Sequence, residues 1–261
     1  RAQMGGYGGG GMIPPGQGSR PAEGFKGAAF DEELYVDVIP KLFEHLRVKL
    51  GNDVKLCHDV HEHLSPIMAV ELSKRVEPYR LFFLEDVLSP EQIQWFRNIR
   101  QVTTTPMAMG ELFNSPHEWT PLIHDRLIDY IRVHVSQAGG LTPCRKMAAF
   151  GEIYGVKTAW HGPGDVSPIG HCANIALDLA CYNFGIQEYS PFSEKLQEIY
   201  QGCPLMKNGY LYANERPGWG IEIDEKLAAR YPFGTNASGD PQRLNGGWGE
   251  VRRRDGTLIK Q

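Results

Sequence analysis

Three acidic residues recur at a fixed interval along this chain. Asp59, Glu85 and Glu111 are each separated by 26 residues, and each follows a short apolar run such as the one that ends at Glu85. Carboxylate oxygens are the hard ligands that Mg²⁺ prefers. Three converging carboxylates repel one another unless a cation lies between them. The spacing therefore predicts one Mg²⁺ site formed by these three residues.

The first of these acids lies in a histidine-rich stretch that runs from His58 to His63. Alternate residues of a strand share a face, so Asp59 and His61 should point the same way, with His58 pointing to the other side. His61 would then be placed for proton transfer beside the metal. A zinc site of His58, His61 and His63 is the alternative, but two glutamates at matched positions favour an all-oxygen site.

A second repeat marks where helices begin. Ser or Thr precedes Pro at five helix starts, which are Ser65, Ser89, Ser115, Thr142 and Ser167, and the next such pair, Ser190-Pro191, could also begin a loop. The gaps from Ser65 to Ser190 are 24, 26, 27, 25 and 23 residues, about one strand plus one helix plus two loops. Ser or Thr at the N-cap followed by Pro is a known start signal. The chain thus repeats a βα unit.

The repeat predicts the following elements. Strands are expected near 54–59, 81–85, 106–110, 128–133, 156–160 and 183–187. Helices are expected at 31–50, 66–77, 90–100, 117–125, 143–154 and 168–180, with a short one at 224–230. Arg132, His161 and Glu188 end the later strands, so six polar residues should gather at the carboxyl ends of a parallel barrel, where catalytic groups cluster.

Three regions follow from this pattern. Residues 1–30 should form a glycine-rich active-site loop, since residues 5–28 hold ten of the 30 glycines. Residues 31–191 should carry the βα units with the metal and catalytic residues, and residues 192–261 should close or wrap the barrel. A closed barrel needs eight strands. With six visible, we expect the chain to begin partway through one.

Composition excludes several classes of partner. The net charge of −4 offers no surface for nucleic acid, and no apolar run approaches the roughly 18–20 residues of a membrane span. The five cysteines are odd in number and lack a C-x-x-C pair. They indicate reduced thiols in a cytoplasmic protein rather than a disulfide framework.

A divalent cation beside an acid/base pair suits removal of a proton next to a carboxylate. Mg²⁺ stabilises the negative charge that develops on such a substrate. If the next carbon carries a hydroxyl group, a nearby acid can protonate it and release water. The residues thus favour a dehydratase of a hydroxy acid.

At these positions the chain resembles the enolase superfamily, and within it the mannonate dehydratase branch. The matching motifs are Leu56-Cys-His-Asp-Val-His61, Phe83-Leu-Glu-Asp86, Gly110-Glu-Leu-Phe-Asn114, Asp129-Tyr-Ile-Arg132, His161-Gly162 with Asp165-Val-Ser-Pro168, and Asn183-Phe-Gly-Ile-Gln-Glu-Tyr189. The resemblance implies an α/β fold, a modified TIM barrel (β/α)₇β of the enolase type. It also implies an N-terminal α+β capping domain, which, like the first strands, we expect to be missing from this chain.

The resemblance also implies roles for individual residues. Asp59, Glu85 and Glu111 would be the Mg²⁺ ligands, and Arg132, His161, Glu188 and Asp165 would bind the sugar acid. His61 would be the acid that assists departure of the C3 hydroxyl. An Arg–Tyr pair would be the base, and Arg1 and Tyr7 are its candidates here, with His161 as the fallback. Family members commonly form homo-oligomers.

Three functions therefore compete. The leading one is a Mg²⁺-dependent dehydratase that converts D-mannonate, or a close epimer, into a 2-keto-3-deoxy acid. A dehydratase of another aldonate, such as gluconate or galactonate, is the second. A weakly active, metal-containing binding or regulatory homologue is the third.

Overall fold

The structure is a computed structural model that describes residues 2–4, 9–13, 29–232, 252–253 and 257. The chain divides into two compact units. The first comprises Arg1–Gly110, Pro116–Tyr130 and Gly249–Gln261, and the second comprises Glu111–Ser115 and Ile131–Trp248. Most of the predicted loop at 1–30, including Arg1 and Tyr7, lies outside the described residues.

The first unit alternates strands and helices in the predicted order. Its strands are β1 Met12–Ile13, β2 Ala29–Phe30, β3 Cys57–Asp59, β4 Phe83–Glu85 and β5 Met107–Met109. Its α-helices are α1 Glu32–Leu50, α2 Pro66–Arg75, α3 Phe96–Val102 and α4 Pro116–His124. Short 3₁₀ helices occupy Gly9–Gly11, Glu77–Tyr79 and Pro90–Trp95.

Helix α1 begins and ends where the sequence predicts. The Asp31 side chain accepts a hydrogen bond from the Leu34 amide, and Gly51, with φ 67°, donates its amide to the Arg47 carbonyl. A positive φ is the conformation that glycine adopts without strain. Tyr35 and Phe43 on the inner face of this helix are completely buried. The helix is thus capped at both ends and fixed by its apolar face.

Strands β3, β4 and β5 lie side by side and parallel. Asp59 is opposite Glu85, and Glu85 is opposite Ala108 rather than Glu111. The equal spacing in sequence therefore gives equal register for the first two acids only. Glu111 follows β5 and lies in a turn, because β5 ends at Met109.

The second unit continues the chain from β6, Tyr130–Ile131, within which the first unit ends. Its further elements are α5 Leu141–Tyr154, β7 Lys157–Thr158, α6 Pro168–Ala180, α7 Glu194–Ile199, β8 Tyr200–Gln201, β9 Met206–Lys207, β10 Tyr210–Leu211, β11 Glu222–Ile223 and α8 Glu225–Ala228. Strands β9 and β10 pair antiparallel, as do β8 and β11. A last strand, Arg252–Arg253, belongs to the first unit and pairs in parallel with β2.

Some predicted boundaries are wrong. No strand forms at 183–187, where only Phe184 makes a bridge, to Thr158. The amides of Gly185 and Ile186 both donate to the Thr158 carbonyl, so the segment turns away from β7 rather than running along it.

The helix starts also differ in detail. Helix α5 begins one residue before Thr142, with Gly140 as its N-cap, because Gly140 adopts φ 94°. Ser65 and Ser89 make no capping hydrogen bond with their side chains, whereas Ser167 accepts one from the Gly170 amide. The Ser190-Pro191 pair begins no helix, and Ser193 caps α7 instead.

All five cysteines are free thiols, as predicted. Among the described residues, every helix is too short or too polar to cross a lipid bilayer.

Candidate active site

Two of the predicted metal ligands lie together in the first unit. Asp59 and Glu85 are the last residues of β3 and β4, and they stand opposite each other in the sheet. With Asp86 they form a group of buried carboxylates whose ligand oxygens lie within 4.8 Å of one another. Carboxylates at this separation repel one another, and a cation bound between them removes that repulsion. The donor set, all oxygen and buried, fits Mg²⁺.

Asp86 was not predicted as a site residue. Its carboxylate accepts a hydrogen bond from the Gly110 amide at 3.0 Å, and its own amide donates to the Ala108 carbonyl at 3.0 Å. Its carbonyl accepts from the Glu62 amide at 2.8 Å. Asp86 therefore links the loops that follow β3, β4 and β5. The available signal was its position directly after Glu85.

His61 lies beside Asp59, but not for the predicted reason. The strand ends at Asp59, and His61 and Glu62 adopt φ values of 55° and 59°. Strand alternation therefore does not extend to His61. Instead the chain turns back, so that the His61 amide donates to Asp59 Oδ1 at 2.9 Å. Left-handed backbone at non-glycine residues is strained, and such strain is concentrated at functional sites.

His58 faces away from the carboxylates, as predicted. Its Nε2 lies 2.7 Å from the Tyr35 hydroxyl, and its Nδ1 lies 2.7 Å from the Ala2 carbonyl oxygen. With both ring nitrogens engaged, His58 cannot act as a zinc ligand. No group of three histidines that could hold a metal occurs in the described part of the chain.

The second unit holds Glu111 and His161. The Glu111 carboxylate oxygen Oε2 lies 3.1 Å from His161 Nε2. His134, which sequence reasoning missed, packs its ring against that of His161 with centroids 5.6 Å apart. Burial, together with the nearby His161, lowers the pKa of His134. The signal that could have found His134 is its position in the sequence, two residues after the predicted site residue Arg132.

Arg132 and Glu188 form a nearly buried ion pair in the same unit. Only 2% of the Arg132 side chain is exposed, and its guanidinium donates to Glu188 Oε2 at 2.6 Å and to the Ala159 carbonyl at 3.1 Å. The Gly162 amide donates to the same Glu188 oxygen at 3.0 Å. A Cβ on Gly162 would lie 2.1 Å from the Glu188 carbonyl oxygen, so this close approach requires glycine. The pair is therefore held rigidly by long-range contacts.

The remaining predicted residues are accounted for as follows. Asp165 is exposed in the segment before α6, and its charge opposes part of the lowering of the His134 pKa. Arg1 and Tyr7 lie outside the described residues.

Comparison with known proteins identifies the family. The model of the family described as enolase C-terminal domain-like matches residues 19–227. This chain belongs to that family. The enolase-superfamily α/β fold predicted from the sequence is thereby confirmed.

Individual relatives refine the comparison. A D-galactonate dehydratase family member from Musicola paradisiaca is 48% identical over all of this chain, which spans 64% of that relative. The D-galactonate dehydratase family member RspA from Pantoea ananatis is 48% identical over 99% of this chain, which spans 63% of RspA. The chain therefore spans a little under two thirds of the length of these relatives.

A solved structure is similar as well. The crystal structure of an enolase from Pantoea ananatis, with bound D-gluconate and Mg, is 46% identical with a TM-score of 0.87. The match covers 99% of this chain and 64% of that one. The predicted superfamily is thus confirmed, whereas these relatives are named for D-galactonate dehydratases and not for mannonate dehydratases.

Proposed function

We propose that this protein is a Mg²⁺-dependent dehydratase of a six-carbon aldonic acid. The observation that carries this proposal is the similarity to the Pantoea ananatis enolase, whose structure holds D-gluconate and Mg. The reaction would remove the C2 proton and the C3 hydroxyl group and release water. The enol that forms would become a 2-keto-3-deoxy acid.

We propose Asp59, Glu85 and Glu111 as the residues that hold the metal. The buried carboxylates of Asp59 and Glu85 support this, because the two residues are paired in the sheet and Asp86 lies beside them. Bound Mg²⁺ would stabilise the negative charge that develops on the substrate carboxylate when C2 loses its proton. Asp86 would hold the loop that follows β5 through its hydrogen bond to Gly110.

His61 is the proposed acid for the C3 hydroxyl group. Its amide is bound to the Asp59 carboxylate, and its ring nitrogen lies within 4.8 Å of an oxygen of that ligand. Arg1 and Tyr7 remain the proposed base, in which the positive charge of Arg1 would lower the pKa of Tyr7. His161, bound to Glu111 at 3.1 Å, is the alternative base.

The second unit supplies the proposed groups for substrate binding. Arg132, Glu188, His161 and Asp165 would contact the hydroxyl groups and the carboxylate of the sugar acid. The rigid support of the first two favours this role, because a fixed donor and a fixed acceptor discriminate between positions of a hydroxyl group. Homo-oligomer formation stays a prediction.

The proposed substrate class is defined by its stereochemistry. D-gluconate and D-mannonate differ only at C2, the carbon that becomes planar, so their dehydration gives the same product. D-galactonate differs from D-gluconate at C4, which keeps its configuration. The names of the relatives and the D-gluconate in the similar structure favour gluconate or galactonate over mannonate.

The test is turnover of an aldonate library by the purified full-length protein, with Mg²⁺ and with EDTA. We expect dehydration of at least one of the three acids with Mg²⁺ and none with EDTA.

In D₂O, Tyr7→Phe should abolish C2 exchange and dehydration, while His61→Asn should abolish dehydration alone. If Tyr7→Phe retains turnover and His161→Asn loses exchange, His161 is the base. If no aldonate reacts, the dehydratase proposal is wrong, and a binding or regulatory role replaces it.

A further inference from the structure

The segment that begins with Ala2 is held against β3 by three hydrogen bonds. The Ala2 amide donates to the Cys57 carbonyl at 2.9 Å, and the Gln3 side-chain amide donates to the Asp59 carbonyl at 2.8 Å. Between them, His58 Nδ1 lies 2.7 Å from the Ala2 carbonyl oxygen. Two of these bonds involve side chains, so the attachment depends on residue type and not only on strand pairing.

The contacts of His58 determine its tautomer. A carbonyl oxygen only accepts, so the proton must be on Nδ1, which donates to Ala2. In the neutral ring, Nε2 then accepts from the Tyr35 hydroxyl, 2.7 Å away. Burial raises the pKa of Tyr35 well above its usual value, so this hydroxyl keeps its proton. Tyr35 thus donates to His58, and His58 donates to the Ala2 carbonyl.

The two donor side chains in this series are completely buried. Tyr35 and His58 are both 0% exposed, and Phe43 packs edge-on against the imidazole at 5.6 Å between centroids. Tyr35 lies in the first turn of α1, the longest helix of the described residues at 19 residues. Helix α1 is therefore linked to the Ala2 backbone through one imidazole ring.

We propose that Tyr35 and His58 are positioning residues that hold Ala2–Gln3, the residues that follow Arg1 in the sequence, at β3. The proposal rests on the function proposed above, in which Arg1 assists the base. Neither residue touches substrate. Their effect would come from the position of the base, because a displacement of about 1 Å can cost on the order of 100-fold in rate.

The first variant is Tyr35→Phe, which keeps the ring and removes the donor to His58. Its matched control is Ser73→Ala, which also removes one buried hydroxyl group, the donor to the Ala69 carbonyl at 2.6 Å in α2. In the full-length protein we expect Tyr35→Phe to lower kcat and C2 exchange together by about 10-fold. The Kd for Mg²⁺ should stay within about twofold of the wild type. Ser73→Ala should change none of the three.

Hydrogen–deuterium exchange of the backbone provides a readout that does not need turnover. The Ala2 amide should exchange faster in Tyr35→Phe than in Ser73→Ala, since only the former loosens the segment. His58→Gln, whose amide can still donate to Ala2, should restore protection that His58→Leu loses.

The outcomes separate the two proposals. If the Ala2 amide is equally protected in Tyr35→Phe and Ser73→Ala, the positioning role is wrong whatever the turnover. If Tyr35→Phe raises the Kd for Mg²⁺ by the same factor by which it lowers kcat, Tyr35 and His58 act through the metal ligand Asp59. The proposal would then also be overturned. A wild-type protein without activity on any aldonate would refute the proposed function, while amide exchange still decides the positioning role.

Discussion

Replacing Asp178 with asparagine should make the stability of the protein less sensitive to alkaline pH. Asp178 lies on α6 beside a cavity of about 330 Å³, whose lining includes the apolar residues Ile175 and Phe184. Burial raises the pKa of its carboxyl group from 3.8 to about 8, although the Trp160 indole opposes part of the rise. The native protein therefore keeps a proton on Asp178 at neutral pH.

The sign of the effect follows from proton binding. Between pH 4 and pH 8 the unfolded chain has released this proton and the native protein still holds it. The unfolded state binds fewer protons, so the free energy of unfolding falls as pH rises through this window. Asparagine carries no charge in either state and removes this dependence.

The magnitude can be worked from the two pKa values. One pKa unit corresponds to about 1.4 kcal/mol, so the cost to the free energy of unfolding is about 2 kcal/mol at pH 5 and about 6 kcal/mol at pH 9. The stability of Asp178→Asn relative to the wild type should thus rise by at most about 4 kcal/mol across this range. Asp178 keeps some solvent contact, so we expect about half of that, roughly 2 kcal/mol.

The assay is urea unfolding of the purified full-length protein at pH 5, 7 and 9, followed by tryptophan fluorescence. Asp53→Asn, the same substitution at an exposed position, is the matched control. A difference between Asp178→Asn and wild type that stays within about 0.5 kcal/mol across the three pH values would refute the reasoning.

Four further predictions follow from the site and the core. Gly162→Ala should destabilise the protein by about 1–3 kcal/mol, seen as a lower Tm, because its Cβ would meet the Glu188 carbonyl oxygen at 2.1 Å; an unchanged Tm would contradict it. Arg132→Lys should lose one of the two guanidinium bonds and lower kcat/KM by more than tenfold, since lysine cannot reproduce the fork; equal activity would show that only charge matters. Glu85→Gln should abolish tight Mg²⁺ binding in calorimetry while the circular dichroism spectrum stays native. Turnover by the wild type in excess chelator would contradict a metal-dependent reaction. Burial raises the pKa of Cys144 to about 12, so this thiol should react with a disulfide reagent at pH 8 only after unfolding.

Much of the local structure could be predicted because its signals lie close together in sequence. The helix from Glu32 to Leu50 has its capping Asp31 and its terminal Gly51 within the same stretch. Asp59 and Glu85 end apolar runs, and equal βα units bring such strand ends into register when the strands are parallel neighbours. The family resemblance followed from the same ordered motifs.

Other features were decided only by contacts between residues distant in sequence. Arg132 and Glu188 are 56 residues apart, and nothing in the sequence around either residue predicts that the two form an ion pair. The predicted strand at 183–187 failed because one carbonyl, that of Thr158, accepts from two successive amides. Local strand propensity cannot predict this hydrogen-bond pattern.

The histidines between His58 and His63 show, within one short segment, what the sequence could predict and what it could not. From the sequence, His58, His61 and His63 formed the alternative zinc site, and strand alternation placed His58 on the side of the strand opposite to Asp59, where its contacts with Tyr35 and Ala2 put it. Alternation could not reveal that the strand ends at Asp59 and that His61 adopts φ 55°. It also could not reveal Tyr35, 23 residues earlier, as the partner of His58. Sequence periodicity specifies which way a side chain points within a strand. The packing of elements that are far apart in the chain decides where the strand ends. The same packing decides which hydrogen-bond partner a buried polar group has.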